Sequence, residues 1–141
     1  MNAREFLDQG FQIELRIQKK QEELERWETL ATHCTPSYSE RAGKADPNIH
    51  KLEETLEHID DVRAQILDEM QELADTKAKI AYVLDQLPNL QERTVLELQY
   101  RNGESLKEVA RDIHMSYSYT RELSFHGIAN LQPILDRQFY L

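Results

Sequence analysis

Apolar side chains recur at alternating steps of four and three from residue 6: Phe6, Gly10, Ile13, Ile17, Lys20, Leu24, Trp27 and Ala31, six of the eight apolar. That repeat keeps one stripe of a helix turned toward a partner helix, so it predicts a coiled-coil seam. Thr35-Pro36-Ser37 and Gly43 break the pattern, and Asp46-Pro47 then offers an N-cap followed by proline at the first helical position. The second seam is longer: Ile49, Leu52, Leu56, Ile59, Arg63, Ile66, Met70, Leu73, Lys77, Ile80, Leu84 and Leu87, ten apolar positions in twelve. At 1.5 Å per residue the two helices would run about 45 Å and about 58 Å, long enough to pair as an antiparallel hairpin. Lys20, Arg63 and Lys77 on the seams read as devices that set register, their long stems reaching the edge of the interface.

Pro88 disfavours a helical Leu87, so the long helix is predicted to end there. A boundary is expected at that point, with residues 1–87 a helical arm and residues 88–141 a separate domain able to fold alone. Asn89, with Glu92 three residues on, predicts a capped helix from Leu90 to about Arg101, closed by Asn102-Gly103. Ser105 to Glu108 forms a capping box for a short helix whose inward face is Leu106, Val109, Ala110 and Ile113. Met115 is expected in the following turn and Ser116 as the cap of a last helix, with Thr120, Leu123, Gly127, Ile128 and Leu131 facing inward. Two such helices joined by a turn of three or four residues have the geometry of a helix-turn-helix. The apolar tail, with Ile134, Leu135, Phe139 and Tyr140, is expected to pack back on this domain or on a second subunit. The fold class is therefore all-α: a long N-terminal antiparallel coiled-coil hairpin, then a C-terminal helix-turn-helix domain.

Composition agrees with helices. Four Gly, four Pro and 30% charged residues suit neither a sandwich nor a barrel. The single cysteine, Cys34, excludes an intrachain disulfide and fits a reducing compartment. The opening residues MNAREFLDQGFQIEL contain no apolar run of signal-peptide length, and the expected location is the cytoplasm. The net charge of -9 argues against a polyanionic partner, but its distribution changes that picture. Residues 1–88 hold 11 Lys and Arg against 19 Asp and Glu, whereas residues 89–141 hold 6 against 7. The acid belongs to the arm.

Catalytic chemistry has nothing to rest on, because the chain lacks a glycine-rich phosphate loop, a nucleophile turn and a two-histidine metal helix. His33, Cys34, His50 and His58 do not have the paired spacing of a zinc site, so no metal or cofactor is expected.

The segment LPNLQERTVLELQYRNGESLKEVARDIHMSYSYTRELSFHGIANL resembles region four of bacterial sigma factors of the housekeeping type. The likeness runs from Leu87 to about Gln132. With its N-terminal hairpin, the whole chain is also similar to small sigma-region-four-like regulators carried by phages and prophages of Gram-positive bacteria. This resemblance implies control of transcription, of phage or prophage genes, through double-stranded promoter DNA. It places base-reading positions on Tyr117, Ser118, Arg121 and Glu122, with Ser116 and Tyr119 at phosphates. Arg121 suits guanine and Glu122 can accept from cytosine. The sequence departs from the family where Tyr117 and Tyr119 replace arginines, Gln132 replaces a basic residue and His114 replaces a turn glycine.

With three cations (Lys107, Arg111, Arg121) against four anions (Glu104, Glu108, Asp112, Glu122), one such unit should bind DNA weakly alone. A homodimer is therefore expected, assigned to Ile13, Ile17, Leu24, Trp27, Leu52, Leu56, Ile59, Ile66, Leu73 and Ile80. The alternative is an interaction protein that binds RNA polymerase, or mimics region four, without reading DNA.

Overall fold

The computed structural model describes residues 1–33 and 47–139, with side chains at residues 1–33 and 49–138. Cys34, Asp46, Tyr140 and the break around Thr35-Pro36-Ser37 and Gly43 lie outside the described residues. All regular structure among the described residues is helical: α1 (Ala3–His33), α2 (Pro47–Leu84), α3 (Leu90–Leu96), a π turn (Glu97–Arg101), α4 (Leu106–Asp112) and α5 (Tyr117–Phe139). None of these helices is long and apolar enough to cross a membrane. Packing divides the chain into two compact units, one formed by Glu14–Glu72 and the other by Met1–Ile13 with Leu73–Leu141.

In the Glu14–Glu72 unit the α1 positions spaced by fours and threes are turned inward. Ile17 is buried, and Lys20, Leu24, Trp27 and Ala31 are half-buried. Arg16 and Lys20 meet Glu69 at 4.0 and 3.2 Å, Arg16 also meets Glu72 at 3.4 Å, and Glu28 meets Arg63 at 3.1 Å. Trp27 lies against His58, ring centroids 4.2 Å apart, and His58 reaches Glu23 at 3.6 Å. Early α1 thus meets late α2 and late α1 meets early α2, so the strands of contact run in opposite directions.

The α2 seam differs from the predicted one at every second position. Leu52, Thr55, Ile59, Val62, Ile66 and Glu69 are buried or half-buried, while Ile49, Leu56, Arg63 and Met70 are exposed. Both sets keep heptad spacing, and they differ by a small rotation of the helix. Leu56 and Met70 look like better seam residues than Thr55 and Glu69. The polar pair is partly accommodated: Thr55 Oγ1 donates to the Lys51 carbonyl at 2.7 Å and Glu69 Oε1 meets the Lys20 ammonium, while Glu69 Oε2 is buried without a hydrogen-bond partner among the described residues. Lys20 is thus matched to a cross-helix anion, which fixes register in a way a leucine pair would not. Arg63 lies outside the seam.

The second unit is built on a core of Ala3, Phe6 and Leu7 from α1, Ile80, Val83 and Leu84 from α2, Leu87, and Leu96, Tyr100, Leu131, Ile134 and Leu135 from the C-terminal elements. The expected boundary between Leu87 and Pro88 is therefore not where packing divides. Residues 1–13 and 73–87 belong with the C-terminal elements, because their apolar side chains cover one face of α3 and α5. The α1 N-terminus is tied down as well: the Ala3 amide donates to Gln132 Oε1 at 2.7 Å. An uncharged acceptor suits that position, since a lysine would place a cation at the positive end of a helix dipole.

Tyr100 is buried beside Phe11, with ring centroids 5.7 Å apart. Burial, then the Asp8 carboxylate, pushes its hydroxyl above the usual tyrosine range, with Arg4 opposing. The apolar tail packs back as expected through Ile134 and Leu135, and α5 continues through Pro133, which cannot donate the helical bond to the Ala129 carbonyl.

Candidate nucleic-acid interface

The front of α5 is set by its neighbours. Asn89 Oδ1 caps α3 by accepting from the Gln91 and Glu92 amides at 2.9 and 3.1 Å. Glu92 does not act as the return half of that cap, because its carboxylate is buried and accepts Asn130 Nδ2 at 3.0 and 3.3 Å. The helix expected to run regularly to about Arg101 widens into the π turn after Leu96. Its end is closed where Gly103, at φ 70°, lets the Glu104 amide reach the Leu98 carbonyl at 3.1 Å. The wider turn leaves Gln99 Oε1 to accept Ser124 Oγ of α5 at 2.8 Å.

Three side-chain pairs therefore join the α3 region to α5: Gln91 with Tyr119, Glu92 with Asn130, and Gln99 with Ser124. Gly127 allows the close crossing, since a Cβ there would meet Leu96 Cδ1 at 3.0 Å and Glu92 Cβ at 3.3 Å.

The α4 capping box is present in full, with the Glu108 amide donating to Ser105 Oγ at 3.3 Å and the Ser105 amide to Glu108 Oε2 at 3.4 Å. Val109 and Ala110 are buried, with Leu106 and Ile113 half-buried. The turn passes through His114 at φ 57°, in the left-handed region where a glycine would cost least. Met115 packs against the small core of Val95, Val109 and Leu123. Ser116 Oγ accepts the Tyr119 amide at 3.1 Å and so caps α5. Thr120, Leu123 and Gly127 face inward and are buried, Leu131 is fully buried, and Ile128 is half-buried.

That inward face leaves the expected DNA-contacting residues outside. Ser116, Tyr117, Ser118, Tyr119, Arg121 and Glu122 are all exposed. Tyr117, Ser118, Arg121 and Glu122 share one depression of roughly 400 Å³ with Phe125 and His126. Tyr119 turns away from this group, its hydroxyl donating to Gln91 Oε1 at 3.0 Å. Among the described residues Arg121 forms no ion pair, and its side chain is exposed.

Sequence reasoning missed Phe125, which is 73% exposed on the same face. A helical wheel could have found it, since it stands four residues after Arg121. The polar ties through Gln91, Gln99 and Asn130 had no comparable signal, because they join residues 25 to 38 apart in sequence.

Before α4, partial burial of Glu104, its hydrogen bond with Asp112 and the charges of Asp112 and Glu108 raise the Glu104 carboxyl above the ordinary carboxylate range, with Arg111 opposing. A carboxyl that holds its proton more tightly in the fold makes the fold lose stability as pH rises from about 4.5 through the raised value. Glu104→Gln should melt higher than the parent protein at neutral pH, with the difference shrinking toward acid. Parallel melting curves for the two proteins across that interval would contradict the assignment.

Of the residues assigned to dimerisation, Ile13, Ile17, Ile59, Ile66 and Ile80 are buried within the chain itself, and Leu24, Trp27, Leu52 and Leu73 are half-buried. Their first partners are intramolecular. Leu56 is 48% exposed and free to meet another surface. The histidines weighed as metal ligands do not converge: His50 pairs with Glu54 at 3.0 Å and His58 with Glu23 and Trp27. Among the described residues no group of three or more His, Cys, Asp or Glu could hold a metal ion.

Compared with protein-family models, curated proteins and solved structures, the chain matches none.

Proposed function

We propose that this chain is a DNA-binding transcription regulator in which α4, the turn through His114 and the front of α5 act as a helix-turn-helix. The observation that carries the reading is the division of α5: Thr120, Leu123 and Gly127 are packed inward while Tyr117, Ser118, Arg121 and Glu122 stand exposed together on the opposite side. A helix held rigidly behind and furnished in front with an unpaired guanidinium, a carboxylate and hydroxyls has the donors and acceptors that distinguish base pairs in a major groove. Ser116, at the α5 N-terminus, is placed to accompany a phosphate. The resemblance to sigma region four gives the same residues the same role, and with it a promoter target and phage or prophage genes.

In this reading α1 and α2 form a coiled-coil hairpin that joins two readers or grips RNA polymerase. Ile49, Leu56 and Met70 stay exposed on one heptad line of α2, with Arg63 between the last two and Leu67 beside them, and such a line suits a second hairpin. Two joined readers would compensate for the few cations in each, because linkage raises the effective concentration of the second into the millimolar range. Light scattering at micromolar concentration should give twice the chain mass of 16.6 kDa. A value near 16.6 kDa would exclude the twin.

The near-neutral, aromatic front of α5 favours a second reading, an interaction protein that binds polymerase or mimics region four without reading bases. Enrichment from a randomised duplex pool separates the two. The first reading requires one recovered motif, and a recovered pool no different from the input would favour the second.

A further inference from the structure

Phe125 is more exposed than any other large apolar side chain among the described residues. It follows Arg121 by four residues and Glu122 by three, so it stands one helical turn further along the same face. It lines the same depression as Tyr117, Ser118, Arg121, Glu122 and His126. Its ring sits edge-on to His126, centroids 5.9 Å apart and planes at 75°, so it is propped outward and not folded onto the core.

A phenyl ring forms no conventional hydrogen bond, and leaving it wet forfeits burial of its apolar surface. On a helix that faces base edges, B-DNA presents one apolar group in the major groove, the C5-methyl of thymine. Resting on the base-reading role proposed for α5, we propose that Phe125 is a specificity residue that selects thymine by seating its ring against that methyl, beside the base pair Arg121 engages. The ring would thereby supply by contact part of the discrimination that the face, with one cation, does not supply by charge.

The test uses the full chain and the duplex motif recovered from a randomised pool. Each thymine is replaced in turn by deoxyuridine, which removes only the C5-methyl. At one thymine per bound reader, the parent protein should lose about fourfold in affinity, the effect of one buried methyl group. Phe125→Ala should bind thymine and deoxyuridine equally at that position. Because the side chain is outside the core, the variant should keep the parent melting temperature, which is checked in parallel.

If no thymine shows the loss, or if Phe125→Ala shows it undiminished, the thymine contact is wrong while base reading stands. The ring would then belong to a protein partner. A pool that yields no preferred sequence overturns both readings.

Discussion

The isolated segment of residues 88–141 is expected to show no cooperative thermal unfolding, although its sequence carries its own caps and a helix-turn-helix pattern. Five of its side chains, Leu96, Tyr100, Leu131, Ile134 and Leu135, share a core with seven from outside it: Ala3, Phe6, Leu7, Ile80, Val83, Leu84 and Leu87. Cutting before Pro88 exposes the faces those seven cover. Full burial of a large apolar side chain is worth about 1.5–3 kcal/mol, and whole domains are stable by only about 5–15 kcal/mol. Losing part of that burial at five positions exceeds what about 54 residues can spare. The segment also loses the Ala3 amide bond to Gln132 and the Arg4, Asp8 and Phe11 surroundings of Tyr100.

The small core of Val95, Val109 and Leu123 would remain, leaving fluctuating helix without fixed packing. A chain joining Met1–Ile13 to Leu73–Leu141 by a flexible linker should recover a sharp melt by circular dichroism. A sharp melt for the short segment itself would show that the helical arm contributes little to this core.

On α1 the eight spaced positions from Phe6 to Ala31 are all buried or half-buried, while Ala3 and Leu7, buried as well, lie outside that spacing. The α2 seam was half legible, since the helix offers two overlapping heptad lines and apolarity favours the line with Leu56 and Met70. Cross-helix charge pairing, Lys20 with Glu69, goes with the other line, and such pairs are invisible until both helices are placed. The caps at Asn89, Ser105 and Ser116 and the closing turn at Gly103 were legible because they depend on neighbours within a few residues, whereas only the resemblance singled out the turn position held by His114. The domain boundary was not. Pro88 marks a break in the helix, but a break in secondary structure need not be a break in packing.

On α5 the split between inward and outward residues followed from the 3.6-residue period, which is why the expected contact residues emerge on the exposed side. Tyr119 is the exception in its direction, captured by Gln91, a partner 28 residues earlier.

The second large effect concerns Arg121. Its side chain is exposed, makes no ion pair among the described residues, and stands opposite the buried Thr120 and Leu123. Removing it should cost the fold nothing measurable, with melting temperatures equal within error. Removing it should also delete a bidentate contact to guanine, worth about 1–3 kcal/mol, or roughly 5- to 150-fold in affinity for the preferred duplex. The loss should be confined to that duplex, since one phosphate-independent contact contributes little to non-specific binding.

The most direct test of the claim that α5 reads bases is therefore a competition titration at fixed salt. Labelled preferred duplex is displaced by unlabelled preferred or scrambled duplex, for the parent protein and for Arg121→Ala. The account predicts strong preference in the parent and near-equal competition in the variant; the same preference in both proteins, at unchanged melting temperature, would contradict it.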